Sequence, residues 1–158
     1  MLSWKWKTFE ELTLDELYRL LALRSEVFVL EQKSFYRDLD GADRACHHLL
    51  GEETQGAEGP SLAAYLRAVP PGLKFPEASL GRIVTAPGAR GSGQGKVLLE
   101  KGLAFIESTY PGVAIRIGAQ HYLQRFYEGF GFRRVTDVYD EDGIPHIDMV
   151  RPAPSPPR

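Results

Sequence analysis

The chain has 158 residues, of which 43% are hydrophobic and 25% charged, so it suits one globular domain with a full core and needs no second one. Nineteen basic and 21 acidic side chains leave a formal charge of -2, which excludes a global electrostatic pull toward nucleic acid or an anionic membrane. Cys46 is the single cysteine, which excludes an intrachain disulfide, and no apolar run reaches the roughly 18 residues of a membrane span. "MLSWKWKTFEEL" also lacks the apolar core of a signal peptide, and the expectation is a cytoplasmic protein.

In chain order, "SWKWKTF" alternates apolar and basic residues and predicts a short half-buried strand. Thr13 followed by Glu16 is a capping-box pattern that starts a helix running to about Val29. Leu14, Leu17, Leu21, Arg24 and Phe28 follow at spacings of three and four, which predicts that this stripe faces the core. "RDLDGADR" reads as a polar turn. Three strands follow in "ACHHLLGE", "LAAYLRAV" and "SLGRIVTA", separated by Gly- and Pro-containing loops. A helix is expected from about Gln94 to Ser108, then the strand "GVAIRIGA", a helix from about Tyr122 to Glu128, and paired strands around "FRRVTDVY" and "HIDMV". With four prolines in eight residues, "RPAPSPPR" reads as a solvated tail, so the domain is expected over 1–151 and the tail over 152–158. This order implies an α/β or α+β domain with a mixed sheet.

The chemistry concentrates in "ARGSGQGKVLL", a glycine-rich link from a strand into a helix, where backbone N–H groups and the helix dipole favour phosphate. A Walker A loop needs glycine at position 90 and Ser or Thr after Lys96, where Arg90 and Val97 stand. A dinucleotide fingerprint starting at Gly91 needs a third glycine where Lys96 stands. Both readings fail. The segment Arg90-Gly91-Ser92-Gly93-Gln94-Gly95-Lys96 instead resembles the pyrophosphate loop of the GNAT acetyltransferases, [R/Q]-x-x-G-x-[G/A], at Arg90, Gly93 and Gly95. "AQHYLQRFYEGFGF" resembles the second signature of that family. "RSEVFVLEQ", "YRDLDGAD", "HLL" and "YDEDGIPHIDM" extend the resemblance to the ElaA-like subgroup over nearly the whole chain except the proline tail.

That resemblance implies a mixed central β-sheet, splayed between "LGRIVTA" and "VAIRIGA" and flanked by helices. Acetyl-CoA would enter the splay, its pantetheine amides pairing with Ile83, Val84 and Thr85 as an added strand. N–H groups from Arg90 to Lys96 would meet the pyrophosphate, and Gln120, Phe126 and Tyr127 would lie beside the cofactor. Lys96 reads equally well as a solvated surface residue. Tyr127 matches the position of the family's general acid, with an aromatic wall as the alternative. Glu31, His121, Asp142 and His146 are candidate bases for an ammonium acceptor, and the subgroup resemblance runs through Glu31, Asp142 and His146. Cys46 reads as a small buried hydrophobe, which favours direct attack by the acceptor over an acetyl-cysteine.

No metal is expected. His47 and His48 are adjacent strand residues that point to opposite faces, and "DLDGAD" places Gly41 too early and Leu49 where a calcium loop ends in Glu. The expected acceptor is a small-molecule primary amine. A protein N-terminus or lysine, and a CoA-binding sensor with little catalysis, remain alternatives. Neither nucleic acid nor membrane is an expected partner, and a homodimer stays open. The acidic residues Glu31, Asp38, Asp40, Asp43, Glu141 and Asp142 are candidates for drawing an amine, with plain solvation as the other reading.

Overall fold

The structure is a computed structural model that describes residues 1–154, so residues 155–158 of the expected tail lie outside the described residues. Its first sheet runs β1 (Leu2–Thr8), β2 (His47–Glu53), β3 (Ser61–Val69) and β4 (Ser79–Thr85), antiparallel throughout and in that spatial order. The second has β5 (Ile115–Gln120), β8 (Ile144–Arg151) and β6 (Arg133–Arg134) side by side, with β7 (Tyr139–Glu141) also pairing β8. One parallel bridge, Ala78 against Ile115, joins the sheets. Ala78 donates to the Ala114 carbonyl at 3.2 Å and accepts from Arg116 N–H at 2.8 Å. Beyond that point β4 and β5 separate, which gives the splayed sheet that the resemblance implies.

Helix α1 (Leu14–Arg24) begins with the predicted capping box: Thr13 Oγ1 accepts from Glu16 N–H at 3.1 Å, and Glu16 Oε1 accepts from Thr13 N–H at 2.9 Å. It continues as a π-helical segment, Ser25–Glu31, which carries the helix two residues past its expected end. The predicted core stripe is rotated. Leu14 is 87% exposed, whereas Glu16, Leu20, Leu23, Arg24 and Val27 are buried, with Leu17, Leu21 and Phe28 at their margin. Apolar residues occupy more than one stripe of this helix, and its docking on Leu50, Leu62, Tyr65 and Val84 selects the buried arc.

On the opposite face of the first sheet lies α2 (Gln94–Thr109), whose Leu98, Leu99, Leu103 and Ile106 join a core that also takes Leu66 and Leu80 from the first sheet and Ile117, Ala119, Ile147 and Met149 from the second. This continuous core holds the two sheets together although, among the described residues, their backbones pair at only one bridge. The expected helix near Tyr122 begins as a 3-10 turn at His121–Leu123 and becomes α3 over Gln124–Glu128. "FRRVTDVY" is divided between β6 and β7, because β8 alternates partners along its length.

The predicted polar turn at 37–44 is corrected most strongly. Asp38 and Asp43 are buried, and with half-buried Asp40 they meet the buried guanidinium groups of Arg24 and Arg67. Charged residues in a short segment look solvated in sequence, but here their countercharges arrive from α1 and β3.

Candidate active site

The divergence of β4 from β5 opens a cleft of about 470 Å³, a volume within the range that small ligands occupy. Ile83, Val84 and Thr85 form one wall and Ala119 and Gln120 the other. Strand alternation turns the Ile83 side chain toward the α2 core and buries Val84 in the α1 core, so the backbone edge of β4 is what remains for the cleft. Beyond Ala78 that edge has no strand partner among the described residues.

At the end of β4 the chain passes through a 3-10 turn, Pro87–Ala89, into the glycine loop. Gly91 and Gly93 sit at φ 82 and 79, the left-handed region where glycine carries no Cβ penalty. An added Cβ at Gly91, Gly93 or Gly95 would meet no atom within 4 Å, so the loop's backbone faces open space. Gly93 is the N-cap of α2 and no side chain caps this 16-residue helix, which leaves first-turn N–H donors for an anion. Arg90 reaches the cleft, where its Nη1 lies 2.7 Å from Glu31 Oε1. Lys96 instead pairs with Glu100 on its own helix and is largely exposed, which favours its surface reading.

Tyr127 lines the cleft from α3 and is 7% exposed, packed edge-on against Phe126 and Phe132. Burial pushes its phenol up to about 12, so it is a proton donor throughout the neutral range. Phe126 is not part of the cleft lining; it packs against Tyr127 and Phe130 with a partly exposed ring. Ser92 and Gln94 line a separate hollow.

Glu31, Asp142 and His146 all line the cleft, brought together from the π-helical segment, the β7–β8 turn and β8. His121 does not line it. Nδ1 of His146 faces the Ile144 carbonyl at 2.8 Å, and Nε2 faces Glu141 Oε2 at 3.3 Å. Both partners can only accept, so each contact is a hydrogen bond only where the ring nitrogen facing it carries the hydrogen, and Glu141 stands ready to pair with a proton on Nε2. Asp142 has φ 52, and its carbonyl accepts from Ser34 Oγ at 3.4 Å. Gln32, Ser34, Tyr36 and Arg82 are cleft residues that sequence reasoning missed. Ser34 and Tyr36 lie in irregular chain between helix and strand, where no periodicity marks a face.

Asp38, Asp40 and Asp43 do not line the cleft and are paired with Arg24, Arg67, Lys74 and Arg82. Burial opposes the charge of Asp40 and Asp43, but hydrogen bonds from Arg67 and Lys74 hold Asp40 well below the usual carboxylate range, and Arg24 and Arg67 lower Asp43. Burial pushes the Cys46 thiol up to about 11 in a small cluster with Ala42 and Val69, as suits a packing residue. His47 and His48 do point apart: His47 lies against Phe105, and His48 bonds Tyr65 and the Asp43 carbonyl.

Comparison with known proteins places this geometry in context. The acetyltransferase (GNAT) domain family matches residues 72–152. The chain is 39% identical to Protein ElaA of Escherichia coli over 153 residues, 96% of this chain and 97% of that protein. Among solved structures, it is similar to an acyl-CoA N-acyltransferase from Pseudomonas aeruginosa, with a TM-score of 0.88 and 42% identity over 96% of this chain and 99% of that one. Escherichia coli ElaA superposes with a TM-score of 0.87 at 38% identity, over 96% and 99% of the two chains. No helix of the described residues is long and apolar enough to cross a membrane.

Proposed function

Because the chain belongs to the GNAT acetyltransferase family, and within it to the ElaA-like subgroup, we propose that it moves an acetyl group from acetyl-CoA directly to the primary amine of a small molecule. The family makes it an acyltransferase that uses an acyl-CoA. The observation that carries the reading is the uncapped N-terminus of α2, entered through two left-handed glycines beside the open edge of β4. An anion held there continues naturally into a cleft whose wall is backbone.

Acetyl-CoA supplies the acetyl group already activated as a thioester. The β4 edge at Ile83, Val84 and Thr85 pairs with the amides of its arm, and a β4 N–H near Val84 donates to the thioester carbonyl. N–H groups of the loop from Arg90 through Gly91, Ser92, Gly93, Gln94 and Gly95 to Lys96 hold the pyrophosphate, and Gln120 bounds the opposite wall. The His146–Glu141 pair takes the proton of the acceptor ammonium, Asp142 offers negative charge toward the incoming amine, and Glu31, paired with Arg90, holds that arginine at the cleft. As the amine nitrogen bonds to the thioester carbon and the C–S bond breaks, Tyr127 donates its hydroxyl proton to the departing sulfur, and the second proton that the nitrogen loses restores the phenol. Cys46, buried away from the cleft lining, takes no part.

Thiol release from acetyl-CoA, measured across a panel of small amines, amino acids and peptides, tests the proposal. Turnover with small amines above that with peptides is expected. Peptide turnover alone would replace the acceptor class, and tight CoA binding without turnover on any amine would make the protein a binding module.

A further inference from the structure

Strand pairing alone does not account for Arg82. Between Gly81, opposite Arg67, and Val84, opposite Tyr65, β4 contains Arg82 and Ile83 where β3 contains only Leu66. This is a β-bulge, and Arg82 occupies it at φ 51. A non-glycine residue persists in that region only where its surroundings over-determine it. They do so here through the side chain. Arg82 Nε donates to Asp38 Oδ1 at 2.8 Å, and Nη2 donates to the Asp38 carbonyl at 3.1 Å and Asp40 Oδ2 at 3.3 Å. The guanidinium also lies over the Tyr36 ring, 5.2 Å from its centre.

The two carboxylates are themselves fixed. Asp38 accepts from Arg24 Nε of α1 at 3.0 Å, while Asp40 accepts from Arg67 Nη2 of β3 at 2.6 Å and pairs with Lys74 at 2.7 Å. The acidic segment 38–43 is therefore tied to a helix, a strand and a loop at once. Arg82 lies in the cleft wall, between the closed end of the splay at Ala78 and the edge formed by Ile83, Val84 and Thr85.

We propose that the segment Asp38–Asp43 is a clamp on the β4 bulge and that Arg82 is a positioning residue for acyl-CoA, acting through the backbone of the three residues that follow it. The inference rests on the reading of that edge as the strand partner of the cofactor. A bulge redirects the strand beyond it, and absorbing the extra residue into the ladder would exchange the faces of Ile83 and Val84. Ile83 belongs to the α2 core and Val84 to the α1 core, so the clamp secures both the register and the direction in which the free N–H and C=O groups point.

Calorimetric titration of CoA into the full chain and into Arg82→Gly tests this, at a temperature where both are folded. Glycine enters the left-handed region without penalty, so this variant removes the anchor while leaving the bulge conformation accessible. CoA binding should weaken tenfold or more, and in turnover the KM for acetyl-CoA should rise by a larger factor than kcat falls. Folded Arg82→Gly with wild-type CoA affinity overturns the clamp and leaves the reading of the cleft standing. A wild-type chain that binds no CoA overturns both. Should Arg82→Gly fail to fold, Arg82→Lys keeps the charge but loses the fork; CoA binding weakened threefold or more is then expected, and wild-type affinity overturns the clamp.

Discussion

Tyr127 carries two features in one side chain: a ring locked against Phe126 and Phe132, and a phenol that burial holds protonated up to about 12. Tyr127→Phe keeps the first and removes the second. If the phenol serves the departing sulfur, kcat falls by roughly 10- to 1000-fold with CoA affinity little changed, since general acids contribute ~10²- to 10⁴-fold and water substitutes in part. Single-turnover measurement keeps slow product release from hiding the effect. A full-rate variant would leave Tyr127 as an aromatic wall. At the same scale, Arg24 shows how a residue's type can mislead about its surroundings: it is fully buried, and Asp38 and Asp43 rather than solvent receive its donors.

The elements around the cleft are joined by charge as well as by apolar packing. Glu16, in the first turn of α1, accepts from Lys7 Nζ at 2.7 Å, pairs with Lys5 Nζ at 2.5 Å and closes the capping box, which ties the helix to β1. Burial alone would raise its pKa, but hydrogen bonds from Lys5, Lys7 and the Thr13 N–H outweigh burial and lower it from 4.5 to about 2. A carboxylate whose folded pKa is depressed stabilises fully above its unfolded value and loses that contribution as pH falls through the folded one. Wild type should therefore exceed Glu16→Gln by about 2–3 kcal/mol above pH 4.5, with the gap closing toward pH 2. Urea unfolding of both proteins at half-unit steps from pH 2 to 6 measures it. A gap independent of pH would mean that the ammonium groups of Lys5 and Lys7 contribute nothing through Glu16.

At the scale of the whole molecule, two sheets share the α2 core but, among the described residues, only one backbone bridge, so a ligand in the splay contacts both halves of the protein. Acetyl-CoA and CoA should then raise the unfolding temperature. Linkage gives about 2.7 kcal/mol at a hundredfold excess over Kd, or roughly 5–11 °C for a chain of this size. ATP and NADH should give no comparable shift, since Arg90 and Lys96 stand where their loops require glycine. Scanning fluorimetry with the four ligands at matched concentrations is sufficient. Equal stabilisation by ATP would remove the assignment of the glycine loop to CoA.

The sequence by itself determined what is local. Thr13 with Glu16 specifies a helix start through side-chain-to-backbone bonds three residues apart, and the glycine loop between strand and helix specifies a left-handed entry into α2 with no side-chain cap. Both are visible because the partners are neighbours in the chain, and the motif around Tyr127 is legible for the same reason. Only the tertiary structure decided which arc of α1 is buried, because several of its arcs are apolar and the docked sheet selects among them. It also decided that the carboxylates of "DLDGAD" are paired rather than solvated, since Asp38 meets Arg82 across 44 positions and Asp40 meets Arg67 across 27. Charge in a short window says nothing about the distant cations that fold against it. The cleft itself is of this kind, for it exists where β4 and β5 fail to pair, and a missing ladder is a relation between strands that neither strand's sequence contains.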